Sequence, residues 1–287
     1  MAGRERVYRT EAIILRHSDL GEADRLLTAY CAEFGKLRLV AKGVRRPGSR
    51  KAGHVEPFTR CHLLVARGRE LDIITQAEAV ELYPALREDL LRLGHAAYVV
   101  ELMDRFSMDG GEGHRSLYRL LTNTLERLAQ GADPATTARF FELRLVDELG
   151  FRPELFRCVA CGSDIQPEDQ FYSSRDGGVV CPRCGRERTG ARPITLSALK
   201  VLRHFQRNTF AVAAAPRIRP EVHAEVETVM EDYLTHLLER RLNSPAFLRR
   251  VRRLGRLDPE TQPVSHAEVT LGRAEPAPAA LESIPRK

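Results

Sequence analysis

The sequence predicts an α+β chain: a small closed barrel of five strands, then an α-helical domain into which a four-cysteine ribbon or knuckle is inserted. Three observations predict it. Apolar residues alternate over residues 7 to 80, and from Pro84 onward they recur with helical spacing. Glycine-bearing turns cut the first eighty residues into short segments. Two Cys-x-x-Cys pairs then interrupt the helical part between residues 157 and 185.

The five segments are VYRTEAIILRH, RLLTAYC, KLRLVAKG, FTRCHLLVA and ELDIITQAE. Five short strands in a region this small suit the five-stranded OB-fold, assigned here to residues 1–82. The helical domain follows over 83–257. Leu86, Leu90, Leu93 and Ala97 fall on one helical face, and Leu117, Leu121, Thr124 and Leu128 on the next. A third helix has clear punctuation: Asp133 as N-cap, Pro134 at its first position and Gly150 just past its end. Helices resume near Thr195, at Pro220 with Val222, Val226, Val229 and Tyr233 as apolar positions, and at Ser244. After Leu257 the composition turns to proline, alanine and charge, which reads as a disordered tail over 258–287.

The cysteine pairs are CVACG, with Cys158 and Cys161, and CPRCG, with Cys181 and Cys184. Each is followed by glycine, which suits a tight turn ending at positive φ with both sulfurs aimed at one centre. Nineteen residues separate the pairs, a zinc-site spacing. Four thiolates complete the tetrahedral shell of one Zn²⁺ and leave no open position, so the expected site is structural. Phe171, Tyr172, Val179 and Val180 flank Arg175 to Gly178, a hairpin between the pairs. Two disulfides are the alternative, disfavoured by six cysteines in 287 residues and by the absence of a secretory signal. Cys31 and Cys61 stand among apolar neighbours as core residues. A zinc deaminase is excluded on order and ligand count, since its His-x-Glu element should precede the cysteines and here His223, Ala224 and Glu225 follow them.

Lys plus Arg number 45 against 39 Asp plus Glu, a net charge of +6 that favours acidic partners. No apolar run approaches a membrane span, and the opening MAGRERVYRTEAIILRHSD lacks a signal-peptide core, so the expected location is the cytoplasm. Phosphate-binding, nucleophile-elbow and His-Glu-x-x-His motifs are missing, and no carboxylate cluster suggests a two-metal nuclease. The charge is concentrated: from Lys36 to Arg69 ten basic residues face a single acid, Glu56. In KLRLVAK, alternation puts Lys36, Arg38 and Lys42 on one face and Leu37, Leu39 and Ala41 on the other, so the basic face is expected to point to solvent. The loop KGVRRPGSRKAGH adds Arg45, Arg46, Arg50 and Lys51 among glycines that permit motion, a composition suited to tracking phosphates on an OB barrel. A solvated loop without a ligand is the alternative reading. A second basic cluster runs from Arg240 to Arg256 without an acid, and either extends the binding face or neutralises helix dipoles.

These residues resemble a known family. LGEADRLLT, FGKLRLVAKGVRRPGSR, EPFTRCHLLVARGRELDIITQAE, FFELRLVDELGF, the CVACG and CPRCG pairs and RRLNSPAFLRR look like the RecO family of bacterial recombination mediators, over about residues 7 to 256. The resemblance implies an N-terminal OB-fold and a zinc-bearing helical domain. It implies a protein that is not an enzyme, binds single- and double-stranded DNA and anneals complementary strands. With RecR, such proteins help RecA displace single-stranded DNA-binding protein (SSB). Lys36, Arg38, Lys42, Arg45, Arg46, Arg50 and Lys51 become the expected DNA contacts. The acidic C-terminal tail of SSB docks on the helical domain in this family, for which Arg139 and Arg144 beside the stripe of Phe140 and Leu143 are the candidates. Some members lack the cysteines, which marks the zinc as scaffold. A zinc-ribbon RNA- or promoter-binding protein and a metal-dependent nucleic-acid enzyme are the rival readings.

Overall fold

The unbroken apolar run Ala12–Leu15 needs cover on both faces of a sheet. In the computed structural model, which describes residues 6–109 and 115–257, strand β1 (Val7–Leu20) receives it. Ala12 and Ile14 point into a barrel, while Ile13 and Leu15 point out against helices. A bulge between Ile14 and Arg16 bends β1, so that its first half pairs with β4 (Arg60–Ala66) and its second half with β2 (Asp24–Cys31). β3 (Gly35–Ala41) pairs with β2 and, in parallel, with β5 (Asp72–Glu81), which returns to β4. The closed order β1-β2-β3-β5-β4 is that of the OB-fold. Leu27, Leu39, Leu63, Val65 and Ile74 fill the barrel together with Cys31 and Cys61, whose thiols are pushed up to about 12 by burial.

The helical domain opens with α1 (Ala85–Glu88) and α2 (Leu90–Phe106), separated by Asp89, whose carboxylate accepts from the N–H groups of Leu91 and Arg92. The one-sided stripe expected on α2 is not observed: Leu90 is exposed, and Gly94, His95, Ala96, Tyr98, Val99, Val100, Leu102 and Met103 are buried. α2 is the central helix, covered from several sides, so its burial has no single helical face. Around it pack α3 (Arg115–Ala129), α4 (Pro134–Glu148) and, later in the chain, α9 (Ser244–Leu257). The expected stripes of α3 and of α8 (Pro220–Leu238) are buried as read, and Asp133 caps α4 through the Thr136 N–H at 2.7 Å. Between α4 and α8 lie a three-stranded ribbon, β6 (Gln170–Ser173), β7 (Gly178–Val180) and β8 (Arg192–Ile194), the short α5 (Pro182–Gly185), α6 (Leu196–Arg207) and α7 (Phe210–Ala213). The tail expected over 258–287 lies outside the described residues.

A buried charge network ties α2, α4, α8 and α9 together. Arg139 donates to Glu142 at 2.6 Å, Tyr98 donates to the same carboxylate, and Arg252 pairs with Glu227 at 2.6 Å. His95 sits at its edge, with Nδ1 2.7 Å from the Leu91 carbonyl and Nε2 3.4 Å from Arg252. Burial, with Arg252 and Arg139 nearby, lowers its pKa to about 4, so Nδ1 carries the proton and the ring is neutral at pH 7. The unfolded ring takes up a proton below about pH 6.5 and the folded ring does not, so stability should drop as pH falls from about 6.5 to 4, by about 3 kcal/mol. Denaturant titrations across that window should show a shallower slope for His95→Gln; an identical slope would remove His95 as the cause.

Candidate nucleic-acid interface and metal centre

β3 does alternate, with Leu39 and Ala41 inside the barrel. Arg38 and Lys42 are exposed as expected. Lys36 is a correction. Its Nζ lies 2.7 Å from the Asp104 carbonyl, 3.0 Å from that of Ser107, and 3.0 and 3.2 Å from the carboxylates of Asp104 and Asp109. With 12% of its side chain exposed, it fastens the barrel to the end of α2 and does not face solvent.

The basic loop is also held more firmly than its glycines suggest. Gly43, at φ 65°, donates its N–H to Asp24 at 2.7 Å, and the Arg45 N–H reaches the Ala23 carbonyl at 2.9 Å. Tight turns follow through Arg46, Ser49 and Lys51, while Val44 and Val55 plug the barrel end. The loop is therefore a fixed platform from which Arg45, Arg46 and Arg50 project. Arg45 pairs with Asp19 at 3.3 Å. The Lys51 ammonium is 3.1 Å from the Ile74 carbonyl, and burial pulls its pKa down against the attraction of Asp24. Arg38, Lys42, Arg46 and Arg50 have no acidic partner among the described residues, which leaves their charge free for an anion.

Sequence reasoning left two residues out of the site. The parallel pairing Leu39↔Asp72 sets the β4–β5 loop beside β3, so the exposed Arg67 and Arg69 border the region of Arg38. In an OB barrel this loop flanks the β2–β3 surface that meets oligonucleotides. Both residues belong to the basic run from Lys36 to Arg69, but parallel pairing of distant strands has no local signature that reveals their place.

The four cysteine sulfurs lie within 4.8 Å of one another. A tetrahedral zinc with Zn–S bonds of about 2.3 Å sets its sulfurs about 3.8 Å apart, so the cluster fits such an ion. Cys161 and Cys181 are already 3.9 Å apart. The first knuckle closes with the Gly162 N–H on the Cys158 carbonyl and Gly162 at φ 74°. In the second, Cys181 precedes α5 and accepts from the Cys184 and Gly185 N–H groups. Gly185 does not take the expected positive φ; a side chain there would come within 2.4 Å of the Phe171 ring, so close packing requires the glycine. The Cys181 N–H also points at the Cys158 sulfur, at 3.3 Å. Hydrogen bonds from Ser163 hold the Cys161 thiol down at about 6, which favours the thiolate a metal binds. Glu225 is spent on capping α6 through Thr195, at 2.6 Å.

Arg139 is a second correction. It is 3% exposed, inside the charge network and against the Tyr98 ring, so it is closed to a docking peptide. Arg144 remains partly exposed, lying over the Phe140 ring at 5.1 Å and donating to the Asn208 carbonyl.

A five-stranded OB barrel with a basic loop, joined to a helical domain carrying a four-cysteine centre, defines an oligonucleotide-binding class of protein. Comparison with known proteins narrows the class: residues 5–83 match the family described as Recombination protein O N terminal, and residues 87–246 match Recombination protein O C terminal. The DNA repair protein RecO of Roseiflexus sp. (strain RS-1) is 44% identical over 251 residues, 88% of each chain. Its counterpart from Pelotomaculum thermopropionicum is 40% identical over 245 residues, 85% of this chain and 94% of the relative. The chain belongs to the RecO family of DNA repair proteins. No helix among the described residues is long and apolar enough to cross a membrane.

Proposed function

We propose that this chain is a recombination mediator of the cytoplasm that acts by binding and not by catalysis. It takes single- and double-stranded DNA on the barrel through Arg38, Lys42, Arg45, Arg46, Arg50 and Lys51, and anneals complementary strands by screening their phosphates. With RecR it assists RecA loading onto SSB-coated single strands. The observation that carries the reading is the fixed loop of projecting arginines on an OB barrel, next to Arg38 and Lys42, which have no acidic partner among the described residues. Lys36 fastens the barrel to the end of α2 and takes no part in this contact. One Zn²⁺ on Cys158, Cys161, Cys181 and Cys184 serves as structural support, since four thiolates leave no coordination position for substrate.

The acidic SSB tail is assigned to Arg144, beside the aromatic rings of Phe140 and Phe210. The protein should anneal complementary strands both naked and SSB-coated, and Arg144→Glu should lose about tenfold in rate on coated strands alone, as removal of one charged contact predicts. Preference for structured RNA, or cleavage of the strands in Mg²⁺, would replace the mediator reading. Equal rates for Arg144→Glu on both substrates would place the tail elsewhere.

A further inference from the structure

Two basic clusters far apart in the sequence meet at the junction of the barrel and the helical domain. A cleft of about 260 Å³ opens there between Arg16 of β1, Lys36 of β3, Asp104 and Arg105 of α2, Leu238 at the end of α8, and Arg240 and Arg241 of the α8–α9 connection. Five of these residues are cations and one is an acid. That acid is already engaged: Asp104 takes Arg16 at 2.7 Å and Lys36 at 3.0 Å. Arg105 approaches Glu101 only to 3.9 Å, and the exposed Arg240 and Arg241 have no acidic partner among the described residues.

The fold places this arginine pair by anchoring the chain on both sides of it. α8 stops at Glu239, whose backbone is left-handed at φ 51° and whose N–H returns to the His236 carbonyl. Just beyond the pair, the Glu101 carboxylate accepts from the Asn243 N–H at 2.9 Å, the Ser244 N–H at 2.8 Å and the Ser244 hydroxyl at 2.5 Å. Arg240 and Arg241 are thus mounted over α2, opposite Arg16 and Arg105, in an arrangement of like charges that an anion relieves.

The cleft is continuous with the barrel face. Arg16 is paired with Thr28, and Thr28 with Arg38, so the three stand in one row across β1, β2 and β3. Adjacent strands lie about 4.8 Å apart, which puts Arg16 about 10 Å from Arg38. We propose that the cleft is a second phosphate site, which takes the backbone of a DNA strand as it passes from the barrel onto the helical domain. The inference rests on the reading of the barrel as the DNA-binding face. The occupant is a phosphodiester because the row through Arg38 and Arg16 leads a strand held on the barrel into the cleft, and because its walls offer charge and little apolar surface to stack a base.

The test uses the full chain and the double variant Arg240→Glu/Arg241→Glu, with Arg240→Gln/Arg241→Gln as a milder pair; neither side chain makes a hydrogen bond among the described residues. Affinities for oligothymidylates of increasing length are measured against salt. Wild type should gain affinity with length until both sites are spanned. The Glu pair should lose about tenfold on long strands, with a log–log salt slope flatter by about 1.4 for two lost contacts, and the Gln pair should lose part of this. If wild type binds and both variants keep its slope and length dependence, the cleft takes no DNA while the barrel reading stands. If wild type binds no DNA, the barrel reading falls and the cleft falls with it. Loss of affinity for an acidic peptide with DNA binding intact would overturn the proposal in favour of a peptide site.

Discussion

Exchanging Cys181 for serine should abolish the zinc binding proposed for the ribbon and unfold it while the barrel keeps its structure. The ribbon strands β6, β7 and β8 are four, three and three residues long, too short to persist without a cross-link. Zinc supplies on the order of 10 kcal/mol to a module of this kind. The loss would not remain local. Tyr172 of β6 packs on Tyr233 of α8 at 5.9 Å, and Leu155, Val179 and Ile194 join the helical core. Unfolding the ribbon therefore uncovers one side of that core, and the helical domain should lose about 3 kcal/mol or more. The barrel core is separate and should not respond. Elemental analysis should find one zinc per reduced wild-type chain and none in the variant, and amide exchange should accelerate over residues 158–194 first. Metal-free wild-type protein with an unchanged melting profile would remove zinc from the structure. A variant that melts like wild type but no longer binds DNA would give the metal a direct role in binding.

The elements that were legible in the sequence are those whose signals are local. Alternating apolar residues between glycine-bearing turns marked the barrel strands, Asp133-Pro134 marked a helix start, and Cys-x-x-Cys marked the knuckles. What stayed hidden was set by tertiary partners. Arg139 lies three residues before Glu142, a spacing that on most helices makes an exposed ion pair. α4 is instead enclosed nearly all round, with Thr136, Thr137, Arg139 and Glu142 buried among its apolar residues, and these polar residues mask its position in the core. Lys36 obeys the strand alternation, yet its outward direction leads to the end of α2. Gly185 reads as a turn glycine and is a packing glycine because Phe171 of β6 comes up against the end of α5. The meeting of Arg16 with Arg240 and Arg241 has no local signal at all, since it depends on how a barrel docks on a helix pair.

Reversing Arg38, Arg46 and Arg50 to glutamate should weaken DNA binding by about a hundredfold at physiological salt, alike for every sequence, because the effect is release of condensed counterions. About five phosphate contacts give a log–log salt slope near −3.5 on single strands, and losing three should bring it to about −1.4. Annealing should fall in parallel, since the same charges screen two strands from each other. Stability should change by no more than about 0.5 kcal/mol, because these side chains are exposed and have no acidic partner among the described residues. Lys36→Gln separates the two roles the basic run combines. It removes ligands from two carbonyls and two carboxylates at a mostly buried junction, so it should lower the melting temperature and leave the salt slope close to that of wild type. If Lys36→Gln flattens the slope as the arginine variants do, Lys36 belongs to the DNA contact after all. If the triple variant keeps a slope near −3.5, the strand does not lie on this face, and the arginines from Arg240 onward carry the binding.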